Sequence, residues 1–184
     1  ELGASQKDVS SCEALYYLYM NEFMEKEIPE KYVDKKRALT YGKQATALGH
    51  ADIANKMGVI YDEGKIVPKD MTEAIKYYEI AVSYGNTFAC NNLASCYRDG
   101  NGVEQNYEKA VELYKKAAEQ GYAGAQNELG VLLFRGDGVE QDYNLALHWF
   151  ELAASNGNEV AKENVDETRR KINESSRILS DSDL

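Results

Sequence analysis

Apolar residues recur in three stretches at the spacing i, i+3, i+4, i+7: Ala74, Tyr77, Tyr78 and Ala81; Ala110, Leu113, Tyr114 and Ala117; Ala146, Trp149, Phe150 and Ala153. That spacing predicts one buried face of an amphipathic helix. Asp70, Asn106 and Asp142 precede these stretches at the place of a helix N-cap, where a side-chain oxygen takes up an orphan backbone N–H. Gly85, Gly121 and Gly157 close them. Upstream of each stretch lies another helical segment, centred on Met57-Gly58, Leu93-Ala94 and Leu129-Gly130. It stops at Gly64, Gly100 or Gly136, since glycine accepts the left-handed conformation that ends a helix. The connecting loops read GKIVPKD, GNGVEQN and GDGVEQD.

The period is 36. Comparing residues 87–122 with 123–158 gives 13 identities in 36 positions, where chance gives roughly two. A helix pair of this kind cannot bury its own apolar face, so successive pairs must stack. Alanine and glycine let neighbouring helices approach, and the tyrosines and Trp149 fill the spaces between pairs. The ends are degenerate. Ala38, Tyr41, Ala45 and Gly49 align with Ala74, Tyr77, Ala81 and Gly85, so residues 34–48 read as the second helix of a first unit. Its partner is expected around 10–24. Residues 158–173 read as another first helix in which Asp166 and Arg169 replace packing positions, a polar conversion that fits a capping helix. Residues 174–184 read as an acidic tail.

The segments NNLASCYRDGNGVEQNYEKAVELYKKAAEQGYAGAQ and NELGVLLFRGDGVEQDYNLALHWFELAASNGN resemble Sel-one-like repeats, a branch of the tetratricopeptide-like solenoids. The resemblance covers roughly 34–158. It implies an all-α fold: a right-handed α-solenoid of about four antiparallel helix pairs plus a C-terminal capping helix. The expected units are 10–49, 50–86, 87–122 and 123–158, with the cap at 158–173. Ile66 departs from the pattern by standing where Gly102 and Gly138 stand, so that loop is expected to take a different shape.

The formal net charge of −10, from 31 acidic and 21 basic residues, argues against nucleic acid, whose binding needs clustered Lys and Arg. It favours a basic partner, because opposite charges speed encounter. No run of 18 apolar residues occurs, so no membrane-spanning segment is expected. The chain starts at Glu1 rather than Met, which leaves two compartments open: periplasmic or secreted after removal of a signal, otherwise cytoplasmic. Cys12, Cys90 and Cys96 are odd in number, and Cys90 and Cys96 lie about 120° apart on a helix, so buried thiols are expected. His50 begins a helix and His148 lies within one. No zinc spacing, phosphate loop or catalytic constellation is present, so no catalytic residue, metal or cofactor is expected.

The resemblance implies a non-catalytic scaffold that binds another protein, as adaptors and toxin-neutralising immunity proteins of this class do. A structural part in an envelope or export assembly stays open. A cysteine-rich secreted branch is linked to β-lactam-like ligands, as binder or hydrolase. Cys90 matches one cysteine of that branch, but Val82 stands at the partner position, so its disulfide framework is not expected here. In such arrays the first helix of each pair lines the concave surface. That register selects Asn55, Asn91 and Asn127 as a ladder, together with Asp62, Arg98, Phe134 and Arg135, and Phe88 one turn earlier. Amides of this kind suit an extended backbone, and exposed aromatics and arginines suit an interface hot spot.

Overall fold

The computed structural model describes Tyr16 and residues 34–182. The helices among them are α1 (Lys35–Ala47), α2 (Ala51–Glu63), α3 (Met71–Ser83), α4 (Thr87–Asp99), α5 (Tyr107–Glu119), α6 (Ala123–Arg135), α7 (Tyr143–Ser155) and α8 (Glu159–Ser182). The first seven are all 13 residues long. No strand occurs among the described residues. The fold is an all-α solenoid of helical hairpins. The chain divides into two compact units, Glu1–Ala89 and Cys90–Leu184.

The helix starts follow from the expected caps. Asp70, Asn106 and Asp142 each accept a hydrogen bond from the backbone N–H three residues on, at 3.1, 2.9 and 2.9 Å. His50 does the same through Nδ1 for Ile53 N–H (3.3 Å). Gly64 and Gly136 end their helices in the left-handed conformation.

In the first unit α1 packs on α2, and α2 on α3. Their core joins Ala38, Ala45, Ile53, Met57, Ile60 and Tyr77 with Tyr16, whose side chain is fully buried. Tyr16 apart, the helix expected around 10–24 lies outside the described residues. Gly58 has its own reason to be glycine: a Cβ there would stand 2.5 Å from the Tyr78 ring. Asn86 caps the first turn of α4 by accepting from Ala89 N–H (2.7 Å), and it donates to Asp52 on α2 (2.7 Å), joining the starts of successive first helices.

In the second unit α5 packs on α6, α6 on α7 and α7 on α8. Gly130 receives the Phe150 ring as Gly58 receives Tyr78. Ser95 and the Tyr114 hydroxyl are hydrogen-bonded at 2.8 Å within the core. Cys90 and Cys96 are buried thiols, and burial pushes the Cys90 thiol up from its ordinary value. A mild reductant should therefore move the melting temperature by less than about 2 °C; a drop of many degrees would reveal a stabilising disulfide.

The structure refines two expectations. The loop with Ile66 closes as the others do: Asp70, Asn106 and Asp142 N–H donate to Tyr61, Tyr97 and Leu133 O at 2.9, 2.8 and 3.0 Å. What differs is the start of the loop, where Asn101 and Asp137 N–H donate to Cys96 O (3.0 Å) and Leu132 O (3.1 Å) and Lys65 N–H makes no such bond among the described residues, and the side-chain support. Gln105 and Gln141 donate to Arg98 O (2.7 Å) and Phe134 O (2.8 Å), whereas Lys69 at the same register pairs with Asp62 (3.1 Å). Ile66 itself packs on the first unit's core. The last helix also runs on to Ser182, past residue 173 where the sequence reading ends the cap. No glycine or proline interrupts 174–182. Ser175 and Ser176 hydroxyls bond back to Lys171 O and Ile172 O, both at 2.9 Å, in the i to i−4 pattern a helix accommodates.

Candidate protein-binding cleft

The second unit carries a cleft of about 630 Å³ between the end of α4, the exposed side of α6 and the first turns of α8. Arg98, Asn127 and Arg135 line it. A smaller cleft of about 130 Å³ adjoins it and shares Val131, Arg135 and Asn164; Phe134 forms its side, and Phe150 and Thr168 its base.

One polar chain crosses the larger cleft. Asn164 Nδ2 on α8 donates to Asn127 Oδ1 (2.8 Å). Asn127 Nδ2 donates to Glu128 Oε1 (3.4 Å). Glu128 pairs through its other oxygen with Arg98. Arg98 grips Asp99 with Nε at 2.7 Å and a terminal nitrogen at 2.9 Å. The bidentate pairing holds the Asp99 carboxyl below its usual range and keeps Arg98 charged. Beneath this chain, burial pushes the Tyr114 hydroxyl up to about 12.

The eight sequence-selected residues are therefore placed unequally. Asn55 and Asp62 are half-buried on α2 of the first unit, Asp62 holding Lys69 and accepting from the Tyr78 hydroxyl (3.4 Å). Phe88, in the same unit, is 54% exposed. Asn91 is half-buried on α4, and its carbonyl accepts from Ser95 (3.2 Å). Arg98 is held between two carboxylates, and Asn127 is buried with both ends of its amide engaged. Phe134 meets Tyr143 edge to face with centroids 5.1 Å apart. Arg135 is exposed and has no ion pair among the described residues; Asp137, across the same cleft, has none either.

Sequence reasoning did not select Glu128 or Asn164. Their one available signal is register: 92, 128 and 164 are 36 apart, so Glu128 and Asn164 occupy one place on successive first helices. Among the described residues, no group of three or more His, Cys, Asp or Glu is arranged to hold a metal ion, and no helix is long and apolar enough to cross a membrane.

The family model described as Sel1 repeat matches residues 26–50, 51–86, 87–122 and 123–158. Two solved structures share the fold at useful identity. A protective antigen of uropathogenic Escherichia coli with an SLR fold is 30% identical, with a TM-score of 0.76 over 84% of this chain and 32% of its own. A Sel1 repeat protein from Oxalobacter formigenes is 28% identical, with a TM-score of 0.77 over 88% of this chain and 46% of its own. This chain thus spans about a third and about half of those two proteins. An immunity protein of Pseudomonas aeruginosa is similar in fold alone, at 24% identity and a TM-score of 0.52 over 83% of this chain and 54% of its own. No curated protein matches the chain.

Proposed function

Since the chain belongs to the Sel1 repeat family, whose members generally mediate protein–protein interactions and are typically non-catalytic scaffolds, we propose that it holds a segment of a partner protein in the cleft of its second unit. The observation that carries this reading is the division of labour inside the cleft. Asn164, Asn127, Glu128, Arg98 and Asp99 bind one another and fix its shape. Arg135 and Asp137 keep their charges unpaired, and Phe134 offers an aromatic wall beside Arg135. A rigid, self-satisfied frame with a few uncommitted groups is what specific recognition requires, because little ordering is left to be done on binding. The anchors in this reading are Phe134 and Arg135. Arg98 and the asparagine ladder at Asn127 shape the cleft instead.

The partner is proposed to be basic overall. The net charge of −10 speeds encounter with a cationic protein, and Asp99, Glu128 and Asp137 outnumber Arg98 and Arg135 along the cleft. A toxin neutralised by an immunity protein is one such partner. Asn55, Asp62 and Phe88 on the first unit, with Asn91, are proposed as secondary contacts.

Linear peptides selected from a displayed library against the immobilised chain provide the test. Phe134→Ala combined with Arg135→Ala should weaken a selected peptide by about tenfold or more, roughly 1.4 kcal/mol per tenfold, with the helical spectrum unchanged. Binding that survives the double substitution places the partner elsewhere.

A further inference from the structure

The chain holds two Asn-Gly sequences, Asn101-Gly102 and Asn156-Gly157, and they differ in whether the side-chain amide and the glycine N–H are hydrogen-bonded. Asn101 is exposed in the loop between α4 and α5. Its backbone N–H donates to Cys96 O (3.0 Å). Among the described residues, neither its side-chain amide nor the Gly102 N–H has a hydrogen-bond partner. Asn156, at the end of α7, is exposed as well, but its amide nitrogen and the N–H that follows it are both tied. Its Nδ2 donates to Gln126 Oε1 (2.9 Å) and its N–H to Leu152 O (2.9 Å), while the Gly157 N–H donates to Ala154 O (3.1 Å).

We propose that Asn101 is a site of spontaneous covalent modification through a succinimide, and that the fold protects Asn156 from the same reaction. The Gly102 nitrogen gives its proton to water or hydroxide and attacks Asn101 Cγ. An N–Cγ bond forms, the Cγ–Nδ2 bond breaks, and the leaving nitrogen takes a proton from solvent to depart as ammonia. One water then opens the ring at either carbonyl, giving an aspartyl or an isoaspartyl residue. Water is the only co-reactant. Glycine after the asparagine favours the attack because no Cβ obstructs the approach. At Asn156 both nucleophile and electrophile are tied, so the site must first open locally, and its rate falls by the population of the open form.

The two products differ in consequence. The aspartyl form puts at 101 the residue type that the next repeat carries at the same register, Asp137 before Gly138, so the loop accommodates it and the chain gains one negative charge. The isoaspartyl form inserts a methylene into the main chain of a loop closed by Asn106 N–H on Tyr97 O (2.8 Å) and by Gln105 on Arg98 O (2.7 Å). Arg98 and Gln105 both line the larger cleft, so this form disturbs the cleft from behind.

The experiment is incubation of the folded full chain at mildly alkaline pH, with proteolysis and mass spectrometry of the two asparagine-containing peptides at intervals. The Asn101 peptide should convert to the acid and its isoaspartyl isomer at least about tenfold faster than the Asn156 peptide. In denaturant the two rates should converge. Asn101→Gln, which cannot close the five-membered ring, should abolish the new acidic species on ion exchange. Equal rates in the folded chain, a faster Asn156, or an undiminished acidic species in Asn101→Gln would each overturn the proposal.

Discussion

Gly138→Ala is expected to cost about 3 kcal/mol of stability, from left-handed backbone strain and forced overpacking together. Gly138 sits at φ +70° in the loop after α6, and a Cβ there would stand 2.7 Å from the Glu108 backbone nitrogen and closer still to Tyr107. Its neighbours are the main chain at the start of α5, which cannot swing aside as a side chain can. Gly157→Ala is the natural control. It shares the left-handed backbone, at φ +90°, but nothing lies within 4 Å of its added Cβ, so it should lose only about 1 kcal/mol. Thermal unfolding should show Gly138→Ala lowered by about 6–12 °C at this chain length and Gly157→Ala by about a third of that. Equal shifts in the two variants would mean that the loop does not press on α5.

Alkali should unfold the chain between pH 10 and 12. Burial pushes the Tyr77 and Tyr114 hydroxyls up to about 12, from the ordinary value near 10. Between those values the unfolded chain has already lost these protons and the folded chain retains them. Stability is therefore fully present below pH 10 and falls as pH rises, levelling once the folded groups also ionise. Each residue withdraws about 3 kcal/mol across that window. One lies in each compact unit, so neither unit escapes, and the combined loss rivals the whole stability of an ordinary domain. Tyrosinate absorbance should rise in two phases, the later one coinciding with loss of helical signal. Tyr114→Phe loses the hydrogen bond to Ser95, worth about 1 kcal/mol, and should remove the second unit's share of the alkaline loss. A single absorbance phase near pH 10 with the helices intact would contradict the assignment of both rings to the core.

The helix plan was readable because it is local and repeated. The caps at Asp70, Asn106 and Asp142, the stops at Gly64 and Gly136, and the contact of Gly58 and Gly130 with aromatic rings 20 residues on all recur at one period. The Ile66 loop was legible in part: its closing bond is made by backbone groups at 61 and 70, which any side chain permits, while the bond that Asn101 and Asp137 N–H make at the loop's start has no counterpart at Lys65 among the described residues. The tail was legible in its acidic composition and not in its conformation: nothing in it stops a helix, so α8 continues to Ser182. The register of the first helices singles out Arg98 and Asn127, whereas their engagement was not readable from it. Their partners Glu128 and Asn164 come from helices that follow in the chain: α6 brings Glu128 to Arg98 on α4, and α8 brings Asn164 to Asn127 on α6.

The most direct check on the cleft as the partner-binding surface is the mapping of amide chemical shifts in the isotopically labelled chain as a selected peptide is added. The account predicts shifts concentrated at Arg98 and Asp99, Asn127 and Glu128, Phe134 and Arg135, and Asn164, with the outward faces of α5 and α7 unmoved. Shifts confined to those outward faces, with the cleft residues silent at saturation, would contradict it.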